Sequence, residues 1–173
     1  MKELKGRKMY ELPKDGLFKV GDLVNYEGPL MSLFSNNKGD LYIYDWSDCD
    51  DDSHRWLVYQ VTLNQLRNYL NGHLTHYQLI MSNSVVFVVD LDSDAKPHNI
   101  TLLATIDIPL DYLPDKDVLH EDEDCPHLNK IKGHLKDLAA IATEKTVVSY
   151  KPRLPLTSRK EVFTKQTPGA FPY

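Results

Sequence analysis

Between Asp48 and His54 the chain reads Asp48-Cys49-Asp50-Asp51-Asp52-Ser53-His54, a run of carboxylates with an imidazole beside it. Clustered carboxylates are the ligands that hard cations require, so Ca²⁺ or Mg²⁺ binding is the first chemistry to test. Set against an EF-hand loop, Asp48, Asp50 and Asp52 fill positions 1, 3 and 5. Position 6, however, holds Ser53 instead of glycine, and position 12 holds Tyr59 instead of glutamate. The sharp turn and the bidentate closing ligand are both missing. A looser Mg²⁺ or Mn²⁺ site on Asp45 and Asp48 would need a further ligand from a distant part of the chain. The plainer expectation is a solvated turn, whose like charges repel unless a base such as Arg55 or a partner offsets them.

A second group, His120, Cys125, His127 and His134, offers nitrogen and sulfur to zinc, but its spacing, H-x4-C-x-H-x6-H, matches no zinc module. These side chains are expected to be exposed loop residues. Cys125 as a nucleophile, with His127 or His120 as its base, is disfavoured because acidic neighbours raise a thiol's pKa. His73 and His76 bracket a turn between two short helices and are expected to be exposed polar residues. No G-x-S-x-G elbow is present, and no Gly-rich phosphate loop precedes a helix. The chain therefore leans away from enzymatic chemistry, with no cofactor expected and no metal site assigned.

The elements that must position these residues can be read from the pattern around them. Leu41–Trp46 and Trp56–Val61 are aromatic and β-branched runs flanking the acidic turn, so the segment is expected to be a β-hairpin with a charged tip. Alternation puts about half of Tyr42, Tyr44, Trp46, Trp56 and Tyr59 on each face, where they either meet a second layer or form a contact surface. Thr62 is placed to cap a helix, with Gln65 at the capping-box position, Leu63, Leu66, Tyr69 and Leu70 at helical spacing, and Asn71-Gly72 as the stop. Thr75–Met81 repeats the pattern on a smaller scale. Before the hairpin, Val24–Phe34 reads as extended with a bulge or bend at Gly28-Pro29, and residues 1–20 as a mostly polar, somewhat basic segment with a short strand and a Pro13–Gly16 turn. After it, Ser84–Leu91 and Ile100–Ile108 read as buried strands. The fold class is α+β, mainly antiparallel sheet with a short helix pair between strands, a further C-terminal helix and an irregular C-terminal arm.

Charge is divided along the chain. From Asp107 to Asp124 eight acids face one base, Lys116, whereas from Lys130 onward nine bases face three acids. A helix is expected from Leu128 to Lys145, with Ile131, Leu135, Leu138 and Ile141 or Ala142 on one face, and a last strand over Thr146–Tyr150. Pro152, Pro155, Pro168 and Pro172 then make a basic arm without regular structure. The expected organisation is an N-terminal segment (1–20), an α+β core (21–110), an acidic loop, helix and strand packed on it (111–150), and the arm (151–173).

In order, the segments YEGPLMSLF, LYIYDWSD, RWLVYQVT and LRNYLNG resemble a family of small bacterial and phage-borne domains of unknown function, over about residues 20–110. The resemblance implies a bacterial or mobile-element setting and carries no activity with it.

At 173 residues with 42% hydrophobic and 26% charged side chains, the composition is that of a globular domain with its own core. A net charge of −5 argues against general nucleic-acid affinity. Two cysteines are too few for a disulfide scaffold and point to a reducing, cytoplasmic compartment. No apolar run is long enough to span a bilayer, and the N-terminus lacks the apolar stretch of a signal peptide. The expected role is a non-enzymatic protein-interaction or regulatory module with a protein partner or a second copy of itself. Its contact residues are expected to be Trp46, Asp48, Asp50, Asp51, Asp52, His54, Arg55 and Trp56 on the hairpin, and Lys151, Arg153, Arg159 and Lys160 in the arm. The alternatives are a metal-dependent hydrolase built on the Asp48–His54 turn, or a nucleic-acid-associated or acidic-decoy protein.

Overall fold

A computed structural model describes the backbone of residues 16–149, with side chains as far as residue 144. The architecture is α+β. Strands β1 (Phe18–Asn25) and β2 (Pro29–Ser35) form one hairpin, and β3 (Leu41–Cys49) and β4 (Ser53–Val61) a second. Two short helices follow, α1 (Leu63–Leu70) and α2 (His76–Met81). A third hairpin, β5 (Val85–Asp92) and β6 (Pro97–Ala104), leads through 3-10 turns to α3 (Leu128–Ser149). All six strands lie side by side in sequence order, each antiparallel to the next.

Local chemistry accounts for the connections. Thr62 and Thr75 each accept the backbone N–H three residues on, while Gln65 and Gln78 accept the cap's own N–H, so both short helices start in full capping boxes. Asp92 closes the third hairpin by accepting the N–H groups of Asp94 and Lys96, both at 2.9 Å. That tight turn lets β6 begin at Pro97, ahead of the expected Ile100. The strand ends at Ala104 instead of Ile108, because Thr105 turns back to donate its hydroxyl to the Asn83 carbonyl and its N–H to Ser84. The bend expected at Gly28-Pro29 is a full hairpin turn over Tyr26–Gly28 that divides Val24–Phe34 between two strands, and β1 begins at Phe18, inside the segment expected to hold a short strand.

The expected strand at Thr146–Tyr150 is replaced by helix as far as Ser149. A lone strand would leave its backbone groups unpaired, whereas an established helix extends by one hydrogen bond per residue. The chain divides between Ala139 and Ala140 into two units. The strands, α1, α2 and the first half of α3 belong to the first; the described part of the second is the rest of α3, where Ile141 is exposed.

The core lies on one face of the sheet only. Leu33, Ile43, Leu57, Tyr59 and Val86 from the strands meet Leu66, Tyr69, Leu79 and Ile80 of α1 and α2, and Ile131 and Leu135 of α3. Gly21 of β1 admits α3 closely: a methyl group there would stand 2.6 Å from His127 Cβ and 3.3 Å from Ile131 Cγ1. Val58 and Val89 are fully buried yet lie outside this cluster, on the opposite face.

Candidate functional site

Register shows what that opposite face carries. Phe34 pairs with Tyr42, Tyr44 with Val58 and then Phe87, and Trp46 with Trp56 and then Val89 and Ile100. Because side chains alternate along a strand, these residues share the face that the helices leave open. Phe34 and Tyr44 meet at a tilt of 52° with ring centroids 4.8 Å apart, and Val58 and Val89 on the same face are buried. Among the described residues no helix packs against this face.

A trough lies on this face at the end where the three hairpin turns meet. Trp46 and Trp56, with His54 and Leu91, floor this trough of about 410 Å³. One wall is the β1–β2 turn, Tyr26 to Leu30; the other is the β5–β6 turn at Asp92, Ser93 and Ala95. Trp46 Nε1 donates to His54 Nδ1 at 3.4 Å, which fixes both rings. Glu27 (φ 53°) and Ala95 (φ 59°) are the non-glycine residues with positive φ among those described, and each stands in one wall. Side chains adopt that conformation at a cost, and such positions gather at binding sites. A second cleft of similar size lies near Tyr42, Phe87, Gln65 and Ser82. Three of its polar side chains are engaged, Gln65 with Ser82 at 2.9 Å and Asn83 with the Leu79 carbonyl at 3.1 Å.

The expected contact residues do not act together. Trp46, His54 and Trp56 meet in the trough. Arg55 points to the opposite, helix-bearing face, after a bulge at Ser47 brings Asp48 opposite it. There its Nε and Nη2 grip Asp90 at 2.7 and 3.2 Å, and its Nη1 donates to the Tyr112 hydroxyl. Asn99 completes the row at 3.1 Å from Asp90. The Arg55 guanidinium bonded to Asp90 holds that carboxyl below the usual carboxylate range. Arg55 therefore anchors the 110–113 segment, and its charge is the smallest of the influences on Asp50 in the acidic tip.

Asp50 folds into the turn itself. Its Oδ1 accepts the N–H of Asp52 (3.0 Å), the N–H of Ser53 (2.7 Å) and the Ser53 hydroxyl (2.9 Å), and these bonds lower its pKa. Asp48 accepts the N–H of Cys49, while Asp51 and Asp52 are exposed. No group of three or more His, Cys, Asp or Glu among the described residues is arranged to hold a metal ion. Lys151, Arg153, Arg159 and Lys160 lie outside the described residues.

Three histidines expected in exposed loops are placed otherwise. His76 is largely covered, and its Nε2 lies 2.5 Å from Oδ2 of the buried Asp45, which also accepts the Tyr59 hydroxyl at 3.0 Å. Burial works against protonating His76, but the Asp45 charge and hydrogen bond prevail and raise its pKa. Full burial, with the Asp45 charge and hydrogen bond beside it, raises Tyr59 well above the ordinary phenol value. The His120 side chain is 1% exposed, 3.3 Å from Asp122 and 5.2 Å between ring centroids from Tyr69, and burial lowers its pKa. His127 is half-buried and its Nδ1 accepts the Asp22 N–H at 2.9 Å. Cys125 is buried, donates to the Asp22 carbonyl at 3.3 Å, and has its pKa raised by burial; Cys49 is exposed and unpaired. Asp45 gave no sequence signal beyond its charge, although its place in the alternation between Ile43 and Leu57 would have marked it as inward-facing.

Fold and site together define a protein with a single antiparallel sheet, helices on one face and an aromatic trough on the other. Compared with known family models, curated proteins and solved structures, the chain matches none of them. No described helix is long and apolar enough to cross a membrane.

Proposed function

We propose that this chain is a non-enzymatic protein-interaction module, in the bacterial or mobile-element setting its segments imply, and that it takes an extended, basic, proline-containing peptide in the Trp46–Trp56 trough. The observation that carries this is the pair of adjacent tryptophans on the uncovered face, set between two turns that bear acids. Aromatic-lined grooves suit polyproline II segments, which stack pyrrolidine rings on the aromatics and lose little conformational freedom on binding. Glu27 and Asp92 in the walls, and the Asp50–Asp52 turn at the end of the hairpin, favour lysine and arginine in the ligand. Across β3 to β6 the open face presents aromatic and aliphatic side chains, the composition of an interface centre, and Lys19 of β1, opposite Phe34, is held in an ion pair with Asp22. A nucleic-acid platform of stacked bases would need basic groups against phosphate.

The chain's own sequence Lys151-Pro152-Arg153-Leu154-Pro155-Leu156-Thr157-Ser158-Arg159-Lys160 has the proposed ligand chemistry and supplies the first probe as a free peptide. Titrating it, and a neutral proline peptide of equal length, into labelled protein should move amide NMR signals around Trp46, His54, Trp56 and Ala95. Trp46→Ala should weaken binding at least about tenfold, as expected for an aromatic anchor. Signals that shift elsewhere, or affinity unchanged by Trp46→Ala and Trp56→Ala, would discard the trough as the site.

A further inference from the structure

The two edges of the sheet are treated in opposite ways. β1 has three register shifts against β2, carries Lys19 and Asp22 in an ion pair, and lies beneath His127 and Ile131 of the last helix. Bulges, charges and a covering element are the devices that stop an edge from pairing with another chain. β6 has none of them along Ile100–Ala104: its register with β5 is regular from Asn99 on, and the strand holds no charged side chain. Ile100 is 43% and Leu102 42% exposed, and just beyond the strand Ile106 is 85% and Leu110 78% exposed. Among the described residues no strand pairs with the outer side of β6.

We propose that this edge is a homodimerisation surface: β6 of two copies pairs antiparallel about a two-fold axis at Thr101, joining two six-stranded sheets into one. Centring the pair at Thr101 favours a second copy because it sets exposed apolar side chains of the two strands opposite one another. With Thr101 facing itself, Ile100 lies opposite the second copy's Leu102, Asn99 opposite Leu103 and His98 opposite Ala104. Ile100 and Leu102 are on the open face in both copies, so their half-exposed side chains cover one another. A chain of net charge −5 resists self-association through its charged surface, and β6 is the strand where two copies meet without opposing like charges. Ile106 and Leu110 follow the strand where the second copy's strand begins. This inference stands apart from the trough and uses none of its residues.

Analytical ultracentrifugation over a concentration series tests it. The wild type should sediment at twice the 19.9 kDa chain mass as concentration rises. Thr101 is exposed, so Thr101→Lys leaves the fold intact and places two lysines face to face at the axis; the dimer constant should weaken at least about tenfold, and Thr101→Glu should do the same. Mixing the two variants sets Lys against Glu and should restore the dimer, which a misfolded variant could not do. A wild type monomeric at every concentration, a Thr101→Lys dimer as tight as wild type, or a mixture that stays monomeric would each overturn the proposal. Peptide titration of the Thr101→Lys protein reads the trough separately, so failure of one proposal is distinguishable from failure of the other.

Discussion

Asp45 and His76 show how a residue's chemistry depends on what the fold brings beside it. They are far apart in sequence, and neither belongs to a motif. Together they form a largely buried pair 2.5 Å apart that pins the start of α2 to β3. The folded-state pKa of His76 lies above the unfolded value of about 6.5, so its contribution to stability is complete below that pH and fades as pH rises through the folded value. His120 works in the opposite sense: burial lowers its pKa, so folding is favoured as pH rises through the region below about 6.5. Comparing wild type with His76→Gln at each pH cancels the His120 contribution. The stability difference from urea unfolding should be larger at about pH 6 than at about pH 9 and of the order of 3 kcal/mol at its greatest, the cost of leaving a buried charge without its partner. A difference that stays flat with pH would remove the ion pair from the account. Asp50 teaches the converse, since a carboxylate that looks like a cation ligand spends its oxygen on the backbone of its own turn.

At the scale of elements, much of the layout is legible in the chain, because hairpins and capped helices are local. The Leu41–Val61 hairpin, the Thr62 and Thr75 caps and the strand after Ser84 all follow from neighbours within a few residues. Where an element ends against a distant partner, the pattern is silent. The end of β6 depends on Thr105 finding the Asn83 carbonyl; α3 starts at Leu128 as its pattern predicts, but where it docks depends on its approach to β1. That approach uses the missing side chain of Gly21. Gly21→Ala puts a methyl 2.6 Å from His127 Cβ, an atom held by the helix backbone, so α3 must move and the Asp22–His127 hydrogen bond must stretch. Overpacking of this kind should lower stability by about 1–3 kcal/mol, read as a shifted urea midpoint with unchanged slope. A midpoint equal to wild type would show that α3 does not rest on that contact.

For the molecule as a whole, the sign of the charge around the trough makes a claim about salt. Binding of the basic Lys151–Lys160 peptide should weaken several-fold as ionic strength rises from about 0.05 to 0.5 M, because screening shortens the reach of Glu27, Asp92 and the hairpin tip. The neutral proline peptide should bind with little salt dependence, since stacking on Trp46 and Trp56 is apolar. Equal salt dependence for both would take the acidic turns out of recognition. The sequence by itself determined the class of fold, the central hairpin and both helix caps, because each rests on alternation, helical spacing or a hydrogen bond made within a few residues. It also singled out the hairpin as a concentration of aromatic and acidic residues. Only the tertiary structure decided that these residues part company: the two-residue period of β4 sends Arg55 into the helix-bearing layer and leaves His54 and Trp56 beside Trp46 on the open face, and a bulge at Ser47 brings Asp48 opposite Arg55. Which face stays open was also decided there. All the described helices pack on the same side, and that choice depends on the summed burial of distant residues such as Tyr69, Ile80 and Ile131, which no local pattern encodes.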